Sequence, residues 1–209
     1  MKIALYLGSF NPFHNGHLEV VKTALNDFKM DKVVIVPTMQ NPWKEEKVLN
    51  IDKRVDIIWE YIKELPIKLY EKVYRDLIET KLIPPYYSYA TLHALKNKYC
   101  NDEIFVLCGE DTIKDIPNWM NGEAIIQDYN FLIVDRPRNS ISSSFIREML
   151  RTRNKMDAYY SDEKLARYVS PNVINFTGTL YIGGFNCSPK YSTILRGPAK
   201  ESLAPFRDL

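Results

Sequence analysis

The sequence predicts an α/β fold, a doubly wound parallel sheet of about five strands with helices on both faces. Three observations carry this prediction. Short, uniformly apolar runs recur along the chain, as strands covered on both faces require. Between them lie stretches whose apolar residues repeat at helical spacing. Residues able to do chemistry gather just after the apolar runs, at 8–17, 37–44, 109–111 and 135–147. In an open parallel sheet that is where ligands bind, at the carboxyl ends of the strands near the reversal of strand order.

Each element has its own justification. IALYL (3–7) is a strand closed by Gly8. Leu18, Val21, Leu25 and Phe28 then fall on one helical stripe, with Glu19, Lys22, Asn26 and Lys29 off it. VVIVP (33–37) is a second strand ended by Pro37, followed by a polar loop with Pro42 and Trp43. Val55, Ile58, Trp59 and Ile62 mark a second helix, which Pro66 closes, and IKLY (67–70) reads as a third strand. Residues 71–86 are open to helix or loop, except that PPYY must be irregular because two prolines remove donors and fix φ. Ser88 is placed to cap a helix running through Leu92, Leu95 and Tyr99. EIFVLCG (103–109) is a fourth strand, short helices fill 111–127, and FLIVD (131–135) is a fifth strand. Phe145, Ile146, Met149 and Leu150 mark the helix after it. From about residue 172 glycine, proline and aromatics mix without helical period, which suggests a hairpin around Gly183-Gly184 and then an extended arm. Residues 1–171 are thus expected to form one Rossmann-like domain, and 172–209 a C-terminal extension to which the sequence assigns no role.

Composition narrows the function classes. At 209 residues the chain fits one domain, and 45% hydrophobic with 26% charged residues is the balance of a globular protein with a real core. A formal net charge of +2 is too small to argue for a nucleic-acid or membrane partner. Cys100, Cys108 and Cys187 form no CxxC pair, so neither a disulfide framework nor a zinc cluster is suggested. No apolar run approaches the ~20 residues of a spanning helix. MKIALYLGSF lacks a small-residue cleavage site and reads better as a strand than as a signal peptide. A cytoplasmic location is expected, and oligomeric state is left open, a homo-oligomer included.

The stretch GSFNPFHNGHL (8–18) holds two of the three histidines, His14 and His17. Gly8 lets the backbone turn and approach a ligand, and Asn11-Pro12 fixes a turn. Two imidazoles one helical turn apart project to the same side, beside free N–H groups and the positive end of a helix dipole. That combination suits a polyphosphate. No GxxxxGK[ST] is present, so this is not a Walker loop, and no third ligand is spaced nearby to make a zinc site. Far along the chain, ISSSFIR (141–147) offers Ser142 and Ser143 as caps, with Arg147 one turn in, where a guanidinium can make bidentate contact with phosphate.

HNGH resembles the HxGH motif of the nucleotidylyltransferases related to class I aminoacyl-tRNA synthetases, and ISSSFIR resembles their second motif. Over residues 2–155 the chain most resembles the nicotinate/nicotinamide mononucleotide adenylyltransferases. GSFNPFHNGHL is similar to their GxFxPxHxGHL, YYSYATLHAL to their SYTxxTL segment, CGEDTIKDIPNWMNGEAII to their GxDxL…W stretch, and FLIVDRP to the strand and RP turn that follow. The resemblance implies adenylyl transfer from ATP to nicotinate mononucleotide, giving deamido-NAD and pyrophosphate. Mg²⁺ would arrive bound to the ATP phosphates without dedicated protein ligands. By the same resemblance His17 would contact the α-phosphate, and His14 neighbouring oxygens. Ser142, Ser143 and Arg147 would grip the departing β- and γ-phosphates. Gly8, Ser9 and Phe10 would meet the nucleotides through the backbone. Gly109 would admit the ATP ribose and Asp111 would accept its hydroxyls. Lys44 would meet phosphate, Trp119 would stack on the pyridine ring, and Tyr87 and Ser88 would lie near its carboxylate or amide.

Three departures qualify the likeness. NPWK stands where the family often has two prolines, a histidine and a basic residue, so Trp43 replaces the histidine. Only a few residues separate Asp135-Arg136-Pro137 from ISSSFIR, where many bacterial members carry an extra strand, so a simplified sheet edge is expected. The tail beyond about 172 has no counterpart. Nicotinamide mononucleotide or dual specificity is the nearest alternative, and pantetheine-phosphate adenylyltransferase the second. The RTEGISTS-like ending of a CTP-dependent cytidylyltransferase is not what stands at 138–147, and a tRNA synthetase needs a KMSKS-type loop and more chain. A non-catalytic nucleotide sensor has little use for groups aimed at the leaving pyrophosphate.

Overall fold

The computed structural model describes residues 1–40, 48–135, 142–152, 165, 168–170 and 192–195. Strand β1 (Lys2–Gly8) leads into α1 (Asn15–Asn26), and β2 (Lys32–Pro37) into α2 (Ile51–Ile62). A one-turn α3 (Ile67–Tyr70) precedes the short β3 (Val73–Arg75), then α4 (Ser88–Lys98) and β4 (Glu103–Gly109). Two short helices, α5 (Glu110–Asp115) and α6 (Gly122–Asp128), lead to β5 (Asn130–Val134), followed by α7 (Ser143–Thr152) and β6 (Ser192–Leu195). The sheet order is β3-β2-β1-β4-β5-β6. The first five strands are parallel, and β6 runs antiparallel on β5. The expected Rossmann-like parallel sheet of five strands is therefore present, with an added edge strand drawn from the C-terminal extension.

The alternation of side chains along each strand explains why the runs are apolar throughout. Ala4, Tyr6, Val33, Ile35, Phe105, Leu107, Leu132 and Val134 face α1 and α2. Ile3, Leu5, Val34, Val36, Val106, Cys108, Phe131 and Ile133 face α4, α5 and α6. Both faces are dry, so period-2 polarity never arises. Truncating one of these fully buried aliphatics to alanine should cost about 2–5 kcal/mol. No helix among the described residues is long and apolar enough to cross a membrane.

Three local expectations are corrected. IKLY is the helical turn α3, and the third strand lies three residues later, at Val73–Arg75. The reason is Pro66, whose carbonyl accepts from both Leu69 N–H (2.8 Å) and Tyr70 N–H (3.0 Å) and so closes a turn. None of the four residues is buried, whereas Val73 is, opposite Val33. Ser88 begins α4 rather than capping it, since Tyr87 takes the cap position. Ser142 does cap α7, accepting from Phe145 N–H at 3.2 Å, but Ser143 is already helical and donates to the Pro12 carbonyl at 3.0 Å. The predicted hairpin at Gly183-Gly184 lies outside the described residues.

The chain winds outward from β1 through β2 to β3, then returns to lay β4 against the other side of β1. The winding direction thus reverses between β1 and β4. Both strands end in glycine, Gly8 and Gly109, side by side at their carboxyl ends. A crevice opens there because the two connections leave toward opposite faces.

Candidate active site

The loop after β1 is set by packing rather than by regular structure. Phe10, φ 44°, occupies the left-handed region that most side chains avoid, and Asn11-Pro12 is a cis bond. Phe10 is buried against Tyr6 (5.1 Å, edge-on), Phe13 (5.5 Å) and His17 (5.2 Å, edge-on). Its ring lies over Gly8, where a Cβ would come within 2.9 Å of two ring carbons. A glycine at this strand end is therefore a steric requirement of the loop.

His14 is the N-cap of α1, in extended conformation, and His17 is the third helical residue. The His14 backbone N–H donates to His17 Nδ1 at 3.2 Å. Because Nδ1 accepts, the ring proton of His17 resides on Nε2, and a donor is left on the opposite ring edge. The two imidazoles stack with centroids 3.7 Å apart and planes 30° apart. Gly16 makes room for this: a Cβ there would lie 3.1 Å from both Cε1 and Nδ1 of His14. The glycine of HNGH serves the stack. The first helical N–H, that of Asn15, donates to the Tyr168 carbonyl at 3.2 Å. The segment carrying Tyr168 is itself pinned to α2 and the turn after it, where Ser170 N–H donates to the Tyr61 hydroxyl (2.6 Å) and Ser170 Oγ to Glu64 (2.6 Å).

A cavity of about 430 Å³ lies over the strand ends. From the first half of the sheet it is lined by Gly8, Ser9, Phe10, His17 and Thr38. Across from them stand Gly109, Thr112, Asp115, Trp119 and Met120, with Tyr86, Tyr87 and Ser88 beside them. Ser142, Ser143 and Arg147 close the third side. Arg147 is oriented by Nη1 donating to the Asn11 carbonyl (2.6 Å) and Nη2 to Ser144 Oγ (3.1 Å). The second motif is thereby fastened directly to the first, 136 residues earlier.

Most of the expected site residues meet at this cavity. Two do not line it. His14 is 2% exposed and lies behind His17, so it supports that ring instead of facing the crevice. Asp111 is exposed and does not line the cavity, although Thr112 and Asp115 on the same short helix, and Gly109 just before it, do. Lys44 and Trp43 lie outside the described residues.

Sequence reasoning missed a buried polar pair. Arg54 on α2 is 1% exposed, and Nε donates to the Leu49 carbonyl at 2.8 Å. Its Nη1 donates to both the Ser9 (2.6 Å) and Thr38 (2.7 Å) carbonyls. Glu79, also 1% exposed, accepts from Met39 N–H (2.6 Å) and from the Thr91 hydroxyl (2.7 Å). Burial pushes the Glu79 carboxyl up from its ordinary range, against the pull of those two donors and of the Arg54 charge. Burial likewise lowers Arg54, against the Glu79 charge. A signal was present: Arg54 falls on the apolar stripe of α2 with Val55, Ile58 and Ile62, a place where an unpartnered cation would not be tolerated.

The arrangement can bind a polyphosphate with a neutral imidazole donor, helix N-terminal amides and a guanidinium, and can seat a flat ring against Trp119. Among the described residues no group of three His, Cys, Asp or Glu could hold a metal ion. Comparisons with known proteins agree with this chemistry. A family model described as Cytidylyltransferase-like matches residues 5–149. The chain is 31% identical over 173 residues to a Flavobacterium johnsoniae protein named as a probable nicotinate-nucleotide adenylyltransferase, covering 72% of this chain and 87% of that one. It is 27% identical over 188 residues to the nicotinate-nucleotide adenylyltransferase of Bacillus subtilis, covering 82% and 96%. Plasmodium falciparum nicotinic acid mononucleotide adenylyltransferase complexed with NaAD shares the fold, with TM-score 0.69 at 19% identity over 84% of this chain and 93% of that one.

Proposed function

Because the chain belongs to the cytidylyltransferase-like family and, within it, to the nicotinate-nucleotide adenylyltransferases, we propose that its cavity transfers the adenylyl group of ATP to nicotinate mononucleotide. The products are deamido-NAD and pyrophosphate, a step of NAD biosynthesis. A phosphate oxygen of the mononucleotide attacks the α-phosphorus of ATP. The new P–O bond forms as the bond to the bridging α,β-oxygen breaks, and the electron pair leaves with pyrophosphate. No protein nucleophile is required, so catalysis is alignment plus charge stabilisation.

The observation that carries this reading is the His17 ring, held by its own helix at Nδ1 and lining the cavity between the two glycine-ended strands. Its Nε2–H is assigned to the α-phosphate, where negative charge grows in the transition state. Arg147, with Ser142 and Ser143, is assigned to the departing phosphates, since a guanidinium matches phosphate geometry. His14 is assigned to holding the His17 ring. Gly8, Ser9 and Phe10 are placed against the nucleotides, and Gly109 at the ATP ribose. Thr112 and Asp115, which line the cavity from α5, are the side chains assigned to the ribose hydroxyls. Trp119, Tyr87 and Ser88 form the proposed wall for the pyridine ring, and Lys44 is assigned to phosphate. Magnesium, which when bound would neutralise charge on the triphosphate, is proposed to arrive on ATP rather than on a carboxylate cluster.

The test is pyrophosphate release from ATP, with nicotinate and nicotinamide mononucleotide as competing acceptors. We expect kcat/KM to favour the nicotinate form; a preference of about tenfold or more for the amide would reverse the substrate assignment. Absence of pyrophosphate with either acceptor would overturn the reading.

A further inference from the structure

We propose that Arg54 is a positioning residue for this reaction: from beneath the cavity its buried guanidinium ties the loop after β1 to the loop after β2, and Glu79 fixes the second loop from the other side. The inference rests on the adenylyl-transfer reading and adds a residue that touches neither substrate.

The geometry is specific. One nitrogen of Arg54, Nη1, bridges the Ser9 and Thr38 carbonyls at 2.6 and 2.7 Å, and Nε holds the Leu49 carbonyl at 2.8 Å. Ser9 and Thr38 both line the cavity, whereas Arg54 does not. Thr38 N–H in turn donates to the Gly8 carbonyl at 2.9 Å, so the two loops are joined at the residues where β1 and β2 stop. Met39, the next residue, gives its N–H to Glu79 (2.6 Å), and Glu79 is anchored to α4 through Thr91 (2.7 Å). Leu49 N–H returns to the Asn11 side chain at 3.2 Å, and the Asn11 carbonyl receives Arg147 at 2.6 Å. Ser9, Thr38, Asn11 and Arg147 thus belong to one hydrogen-bonded frame centred on α2.

Stability alone does not call for a guanidinium here. A buried charge loses its hydration, and an apolar side chain of similar volume in its place is often neutral or better. An apolar side chain would, however, leave three carbonyls without a directional partner. Phe10 lies next to Ser9 and holds a positive φ, a conformation that persists only where its surroundings over-determine it. Holding Ser9 from below also holds Phe10, whose ring is packed edge-on against His17. In-line transfer is sensitive to misplacement, where about 1 Å can cost roughly 10²-fold in rate.

The decisive variant is Arg54→Lys, which keeps the charge but presents one point donor instead of a planar fork. In folded protein we expect kcat to fall by about tenfold or more while KM for both substrates stays within about threefold, since alignment is lost and binding groups remain. A purely structural role would lower the melting temperature and leave kcat of the folded enzyme alone. A folded Arg54→Lys enzyme whose kcat falls by less than about tenfold overturns the proposal. Should that variant not fold, Glu79→Gln decides: it can still accept from Met39 N–H and donate to Thr91 Oγ, and removes only the charge facing Arg54. A fall in kcat of about threefold or more at unchanged KM supports the proposal, and a smaller one overturns it. If the wild-type enzyme itself releases no pyrophosphate with either mononucleotide, the reading of the site has failed and this inference falls with it.

Discussion

The two walls of the cavity are built differently. On the β1–β2 side the histidines of the HNGH stretch are locked by buried neighbours. His14 and His17 are 2% and 9% exposed, stacked on each other, and His17 also meets Phe10, Phe13 and Tyr6. The backbone beneath is held by Arg54. On the β4–β5 side the wall beyond Gly109 is carried by the six-residue α5 and the turn after it, with Trp119 half-buried and Met120 45% exposed. That wall rests on buried Ile113 and Ile116, and it is tightest at Gly122, where a Cβ would sit 1.9 Å from the Ile116 carbonyl oxygen. The difference separates the reaction's two demands. Phosphoryl chemistry requires fixed donors, whereas recognition of an acceptor ring tolerates a surface that adjusts.

Breaking the rigid wall should have the largest effect. His17→Ala is expected to lower kcat by about 10²–10³-fold in a pyrophosphate-release assay, with KM changed far less, as loss of a preorganised transition-state donor does. Near-normal turnover of the folded variant would remove the assignment. Arg147→Ala should follow, with kcat/KM for ATP down roughly 10²-fold, because charge-assisted contacts to the leaving group are lost. Since Arg147 also holds the Asn11 carbonyl, Arg147→Lys should recover only part of that loss. Full recovery would mean that the charge matters and the fork does not.

The two walls also differ in how far the sequence reveals them. The strands were legible because both faces of the sheet are covered, so each reads as an unbroken apolar run. HNGH was legible because its spacing is short-range: a cap, a glycine and a third helical position lie within four residues. Asp111 was less legible because a motif supplies a position and not which side chains reach the cavity, and here Thr112 and Asp115 line it while Asp111 does not. IKLY misled because a four-residue run with three apolar residues suits a strand or a turn equally, and Pro66 decided between them. The Arg54–Glu79 frame could not be paired from sequence. Its partners lie 16, 45 and 40 residues apart, and only the wound sheet brings them together.

On the adjustable wall the expected effect is smaller and of a different kind. Trp119→Ala should raise KM for the mononucleotide by about fivefold and leave kcat nearly unchanged, since aromatic stacking on a ligand ring is worth roughly 1 kcal/mol. Titration of each substrate separately checks this. A drop in kcat equal to the rise in KM would mean that Trp119 also aligns the attacking phosphate, and the contrast between the walls would narrow.

The smallest effect, and the sharpest test of the contrast, concerns stability. Burial raises the Glu79 carboxyl above its unfolded value. The folded state then holds the proton more tightly than the unfolded state does, so this group's contribution to stability is fully present below about pH 4.5. It is lost as pH rises through the folded value. Glu79→Gln does not titrate. The melting temperature of the variant relative to wild type should therefore climb as pH is raised from about 4 to about 7, once differences in other groups cancel between the two proteins. A difference that stays flat or falls over that range would show that the carboxyl is not strained by burial. Paired with the slower turnover expected of the same variant, a gain in stability at neutral pH would place Glu79 among groups kept for geometry at a cost in stability. Rigidity on the phosphate side would then be maintained by an interaction that weakens the fold.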